Sequence, residues 1–122
     1  MTLTHQQLQK IDDISECICK FFNIKEQDLI SQKRKEPICN ARFFLWHILH
    51  YKLGLSSNKI SNIYFKHIRS VWRGISKVEN GIKRQAYYKN IYEDLYKIVE
   101  PLIPKDIERF LEGSGRANFN DN

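Results

Sequence analysis

A chain of 122 residues, 42% hydrophobic and 28% charged, has room for one core and the make-up of a globular domain. Residues 1–9 are polar and no apolar run could cross a bilayer, which argues against a secretory leader or membrane span and leads us to expect a cytoplasmic protein. The net charge of +6 is segregated: residues 31–90 hold thirteen Lys and Arg against two Glu, a net of +11, whereas residues 1–30 carry −2 and residues 91–122 carry −3. A basic middle between acidic ends marks where a polyanion would sit.

In chain order, Leu8, Ile11, Ile14, Ile18 and Phe22 form an apolar stripe at helical spacing, with Thr4 as N-cap and Asn23 as terminator. Lys25–Leu29 predicts a short turn and Ser31–Glu36 a polar basic loop. Pro37 suits the first position of a second long helix whose buried face is Ile38, Ala41, Phe44, Leu45, Ile48 and Leu49, ended by Gly54. Ser56 or Ser57 caps a short third helix carrying Ile60 and Ile63, followed by a glycine-free turn at Tyr64–Lys66. A fourth helix runs from about His67 to Val78, and Gly81 breaks the chain. Arg84–Val99 reads as a fifth helix with Tyr88, Ile91, Tyr92, Leu95, Ile98 and Val99 inward, stopped by Pro101. Pro104–Leu111 predicts a last short helix packing Ile107, Phe110 and Leu111. Alternation of the strand type is missing, so the fold class is all-α. The domain is expected to span residues 1–112, with residues 113–122, rich in Gly, Ser, Asn and Asp, as a disordered tail.

The fourth helix is the informative one. Ile68, Val71, Ile75 and Val78 recur at core spacing, which gathers Lys66, Arg69, Ser70, Arg73 and Lys77 on the opposite face. A short helix, a turn and a second helix with a basic outer face is helix-turn-helix geometry, in which the second helix enters the major groove of DNA. Trp72 is expected to pack on the core with partial exposure rather than touch a base.

Catalytic and metal constellations are missing. Cys17, Cys19 and Cys39 fit no zinc spacing and read as reduced, small core residues. His47 and His50 are three apart on a helix, yet no Asp or Glu lies nearby in sequence to complete a metal site. No cofactor is expected, and no phosphate-cradling loop is present, so no bound nucleotide is expected either.

Three segments carry a family resemblance: F-N-I-K-E-Q-D-L-I-S at Phe22–Ser31, S-Q-K-R-K-E-P-I-C-N-A-R at Ser31–Arg42, and S-K-V-E-N at Ser76–Asn80. With them, the span Ile14–Leu95 resembles the C-terminal DNA-binding domain of the bacterial replication initiator DnaA. The resemblance implies a small helical bundle with a helix-turn-helix, similar also to the Trp repressor. It implies a minor-groove arginine at Arg34, backbone contacts from Lys33 and Lys35, a DNA-contacting arginine at Arg42, and phosphate contacts where Ser57, Asn58 and Lys59 open the first helix of the motif. The family signature, roughly G-G-R-D-H-S-T-V, is altered here to Phe65-Lys66-His67-Ile68-Arg69-Ser70-Val71, one residue shorter. Its glycines and Arg-Asp-His trio are gone, and only Ser70 and Val71 fit its end.

The expected function is therefore that of a stand-alone, non-enzymatic, duplex-binding module, a regulator of replication or transcription. Lys66, His67, Arg69, Ser70 and Arg73 would enter the major groove, Arg34 the minor groove, and Lys35, Lys59 and Lys77 would hold phosphates. The alternative is a helical protein-interaction domain that has lost sequence-specific DNA binding.

Overall fold

The computed structural model describes residues 3–112. They form α1 (His5–Phe22), a 3₁₀ segment (Glu26–Ile30), α2 (Glu36–Leu53), α3 (Ser57–Tyr64), α4 (Ile68–Arg84), α5 (Ala86–Val99), a 3₁₀ turn (Glu100–Leu102) and α6 (Ile107–Glu112). The described residues contain no strand, as the periodicity predicts. The expected tail, residues 113–122, lies outside the described residues.

Local chemistry sets the helix ends. The Thr4 hydroxyl accepts from the Gln7 backbone N–H at 3.1 Å while the Gln7 side chain accepts from the Thr4 N–H at 2.7 Å, a reciprocal cap that starts α1. Asn23, in the left-handed region at φ 57°, closes it. The Ser56 hydroxyl, not that of Ser57, caps α3 by accepting from the Lys59 N–H. Asp106 caps α6 by accepting from the Arg109 N–H, which moves the start of that helix from Pro104 to Ile107.

α2 is the axis of the molecule. It packs against α1 on one side and α4 on another, and α5 lies across both of those neighbours. Phe44, Leu45, Ile48 and Leu49 are completely buried among Ile11, Ile14 and Ile18 of α1, Val71, Ile75 and Val78 of α4, and Leu95 and Val99 of α5. Because helices surround α2, burial extends beyond the predicted stripe to Arg42, Trp46, His47 and Leu53.

Four sequence expectations are corrected. α4 does not end near Val78: it runs through Gly81 to Arg84. Gly81 is a seat rather than a break, since a Cβ there would lie 2.5 Å from Cγ of the Tyr88 ring. The break falls at Gln85, whose extended backbone separates α4 from α5. Ile98 points outward, 47% exposed, because the inner line of α5 continues through Leu95 to Val99. Leu8 is also exposed, at the open end of the α1 stripe.

Candidate nucleic-acid interface

The helix-turn-helix is α3, a three-residue turn and α4. Tyr64 anchors α3 to α1 through a 2.7 Å hydrogen bond between its hydroxyl and Ser15 Oγ, both buried. Phe65 then takes the left-handed conformation, φ 55° and ψ 45°, and the Lys66 N–H returns to the Ser61 carbonyl. His67 caps α4: its Nδ1 accepts from the Arg69 N–H at 3.0 Å, so that nitrogen carries no proton in this arrangement.

The basic loop is held against this turn from inside. Arg42, on α2, is only 6% exposed. Its Nε donates to the Leu29 carbonyl at 3.0 Å, its Nη1 to the Lys33 carbonyl at 2.8 Å, and its Nη2 to the carbonyls of Asp28 and Ser31 at 2.8 and 2.6 Å. Arg42 thus faces inward onto the loop backbone, with four of its five N–H donors given to loop carbonyls, and it also lines the groove between the loop and α4. Burial holds its pKa below the ordinary arginine value. Lys66 Nζ also donates to the Ser31 carbonyl, and burial lowers its pKa as well. The Cys39 thiol donates to the Arg34 carbonyl at 3.4 Å. Cys39 is therefore half-buried at the loop, not a core residue, whereas Cys19 is in the core as expected.

This docking opens a groove of about 380 Å³ between loop and α4, lined by Arg34, Phe65, Lys66, His67, Ser70 and Arg73 above a floor that includes Phe43 and Trp46. No carboxylate lines it. Lys77 continues the same face of α4, its Nζ 5.8 Å from the centroid of the Phe43 ring. Arg69 is exposed on the first turn of α4, one turn before Arg73. Among the described residues, Arg34, Arg69 and Arg73 make no ion pair.

Other predicted residues lie elsewhere. Lys33 and Lys35 line a separate depression, beside Asn23 and Ile38, and are not among the groove's lining residues. There Lys33 Nζ pairs with Asp28 at 3.3 Å. The Lys25 backbone N–H, with help from Lys33, keeps the Asp28 carboxyl below its ordinary range. Ser57 is buried and Asn58 exposed at the start of α3, and Lys59 is half-buried one residue on. Trp72 is 44% exposed and meets the His50 ring edge-on at 5.3 Å, outside the groove.

His47 and His50 share no metal geometry. His47 Nε2 lies 2.8 Å from Glu79 Oε1, and His50 Nδ1 lies 2.8 Å from the Leu55 carbonyl. Phe65 is the groove residue that charge patterning passed over. Its signal is an aromatic side chain in a turn that demands positive φ without a glycine.

Residues 11–78 match the family model described as the bacterial dnaA protein helix-turn-helix. The chain belongs to this DnaA helix-turn-helix family. It is 30% identical over 87 residues to the chromosomal replication initiator protein DnaA of Thermoanaerobacter sp. (strain X514), covering 71% of this chain and 20% of the relative. The DnaA of Campylobacter jejuni subsp. jejuni (strain 81-176) is 29% identical over 86 residues, 70% of this chain and 20% of its own length. That of Caldanaerobacter subterraneus subsp. tengcongensis is 30% identical over 87 residues. The chain thus spans about a fifth of the length of the DnaA proteins it matches. The family match runs from Ile11 to Val78, so it holds most of α1, all of α2 and α3, most of α4 and every residue that lines the groove. No helix among the described residues is long and apolar enough to cross a membrane.

Proposed function

We propose that this chain is a duplex DNA-binding module that docks without catalysis. The N-terminal half of α4 enters the major groove and presents Arg69, Ser70 and Arg73, with His67 and Lys66 at its base. Arg34 reaches the adjoining minor groove from the basic loop. Lys59 and Lys77 hold phosphates on either side, and the exposed start of α3 at Asn58 lies along the backbone, where a helix N-terminus favours an anionic oxygen. Arg42 acts by fixing the loop. Lys33 and Lys35, which line a depression separate from the groove, supply long-range attraction more than contact. In a cell such a module acts as a regulator of replication or transcription.

The observation that carries this reading is the groove itself: Arg34 of the basic loop, Arg42 of α2, Lys66 of the turn and Arg73 of α4 all line it, with no carboxylate among its lining residues. A solvated basic surface would mix signs. The direct test is a mobility-shift titration with random-sequence duplex across salt concentration. Binding that weakens steeply with salt supports the reading.

A second reading, a protein-interaction domain, draws on a different surface. Tyr51 and Trp72 are 51% and 44% exposed, and both pack on the His50 ring outside the groove. Exposed aromatic side chains are typical anchors of protein interfaces. Failure to bind duplex at low salt would favour it.

A further inference from the structure

Phe65 is the most exposed large apolar side chain among the described residues, at 74%. Its backbone sits at φ 55°, a region that glycine or asparagine ordinarily takes and that a bulky residue adopts under strain. Glycine at this position would remove both the strain and the wetted ring. The ring contributes little to the core, yet it stands at the mouth of the cationic groove, beside Lys66, His67 and Arg73. An occupant of that groove must be anionic overall and must offer one apolar group to the ring. Duplex DNA does so in the major groove, where the C5-methyl of thymine is the apolar feature of the base edges. The placement favours that contact over a wedge between bases, because wedges act from the minor groove whereas the start of the second helix of the motif faces the major groove.

We propose that Phe65 is a specificity residue that reads a thymine methyl group in the major groove beside the first turn of α4. The proposal rests on the duplex-binding reading and adds a base class to it. Strain retained at a binding site, where a more relaxed residue is available, fits a side chain kept for its contact.

The test starts from a duplex selected by the wild-type protein from a random pool. Each thymine is replaced in turn by deoxyuridine, which removes one methyl group and leaves every hydrogen bond in place. Wild-type protein should lose about three- to fivefold in affinity at one position, the value of one buried methyl group. Phe65→Gly should bind the thymine and uracil duplexes equally, with its salt dependence on random duplex unchanged and its melting temperature equal to or above that of wild type. Phe65→Asn, which also tolerates the left-handed region, should behave in the same way. Wild-type indifference to every uracil replacement overturns the proposal. So does a Phe65→Gly variant that keeps the same sensitivity, or one that loses affinity equally for all sequences. Failure of the wild type to bind any duplex is a different result: it removes the duplex-binding reading itself, and the methyl contact with it.

Discussion

Lys66 and Ser31, 35 positions apart, are joined by a hydrogen bond from the lysine Nζ to the serine carbonyl, and the same oxygen accepts from Arg42 Nη2 at 2.6 Å. Two cations are thus held by carbonyl dipoles rather than by carboxylates. The arrangement locks the basic loop to the turn of the helix-turn-helix while leaving the positive potential of the groove uncancelled. A loop fixed by Asp or Glu would have lost that potential.

Arg42→Ala leaves several buried carbonyls without a donor, and each such group costs about 1–3 kcal/mol. The expected loss is about 2–4 kcal/mol in urea denaturation, allowing for partial hydration of the vacated space. Arg42→Lys should recover little of it, because an ammonium cannot reproduce the planar fork that reaches four carbonyls at once.

Gly74 sets the approach of α4 to α2. A Cβ there would overlap the Phe43 ring and lie 2.9 Å from Trp46 Cε3. Alanine raises helix propensity by about 1 kcal/mol, but overpacking costs about 1–3 kcal/mol. Phe43 is half-buried and could swing aside, whereas Trp46 is enclosed by the core. The steric effect should win, so Gly74→Ala should lower stability by about 1 kcal/mol in chemical denaturation.

The His47–Glu79 pair predicts a pH dependence. Burial, the largest influence, holds the His47 pKa below its ordinary 6.5, outweighing the attraction of Glu79. The neutral ring donates through Nε2 to Glu79, while Nδ1 is buried without a partner, so a second ring proton would find no acceptor. The unfolded chain therefore takes up the proton first. Stability should fall as pH drops below about 6.5 and level off once the folded form also protonates. The His47→Gln variant should lose that slope in denaturation measured between pH 7.5 and 5. Glu79 acts at lower pH. Its carboxyl is held below its ordinary 4.5, chiefly by the hydrogen bond from His47, so its contribution is present above 4.5 and is lost as pH falls through the folded value.

Arg34, Arg69 and Arg73 are exposed, so their replacement by Ala should change stability by no more than about 0.5 kcal/mol. Their effects on binding should differ. Arg34→Ala should weaken binding and reduce the discrimination between A·T and G·C pairs at the minor-groove position that side chain reaches. Arg69→Ala should remove about 1–3 kcal/mol of discrimination at one base position. Competition between selected and random duplexes measures both.

Much of this architecture was legible in the residues. Apolar spacing gave α1, α2 and the core line of α4; Thr4, Asn23 and Gly54 marked ends because their chemistry is local. Tertiary contacts hid the rest. Gly81 reads as a breaker in isolation, yet the Tyr88 ring needs its bare Cα inside a continuous helix. Arg42 carries the charge of a DNA contact, and charge does not reveal whether a side chain points outward or onto carbonyls. The separation of Arg34 from Lys33 and Lys35, neighbours in sequence, follows from a loop conformation that no periodicity encodes.

The measurement closest to the central claim is the affinity for a random 20-base-pair duplex as a function of salt, made side by side on wild type and an Arg34→Ala/Arg73→Ala double variant. The logarithm of the wild-type binding constant should fall linearly with that of salt concentration, with a slope of about −0.9 for each phosphate contacted, and the double variant should follow a visibly shallower line. No binding at the lowest salt, or identical lines for the two proteins, would contradict a duplex seated in the groove between the basic loop and α4.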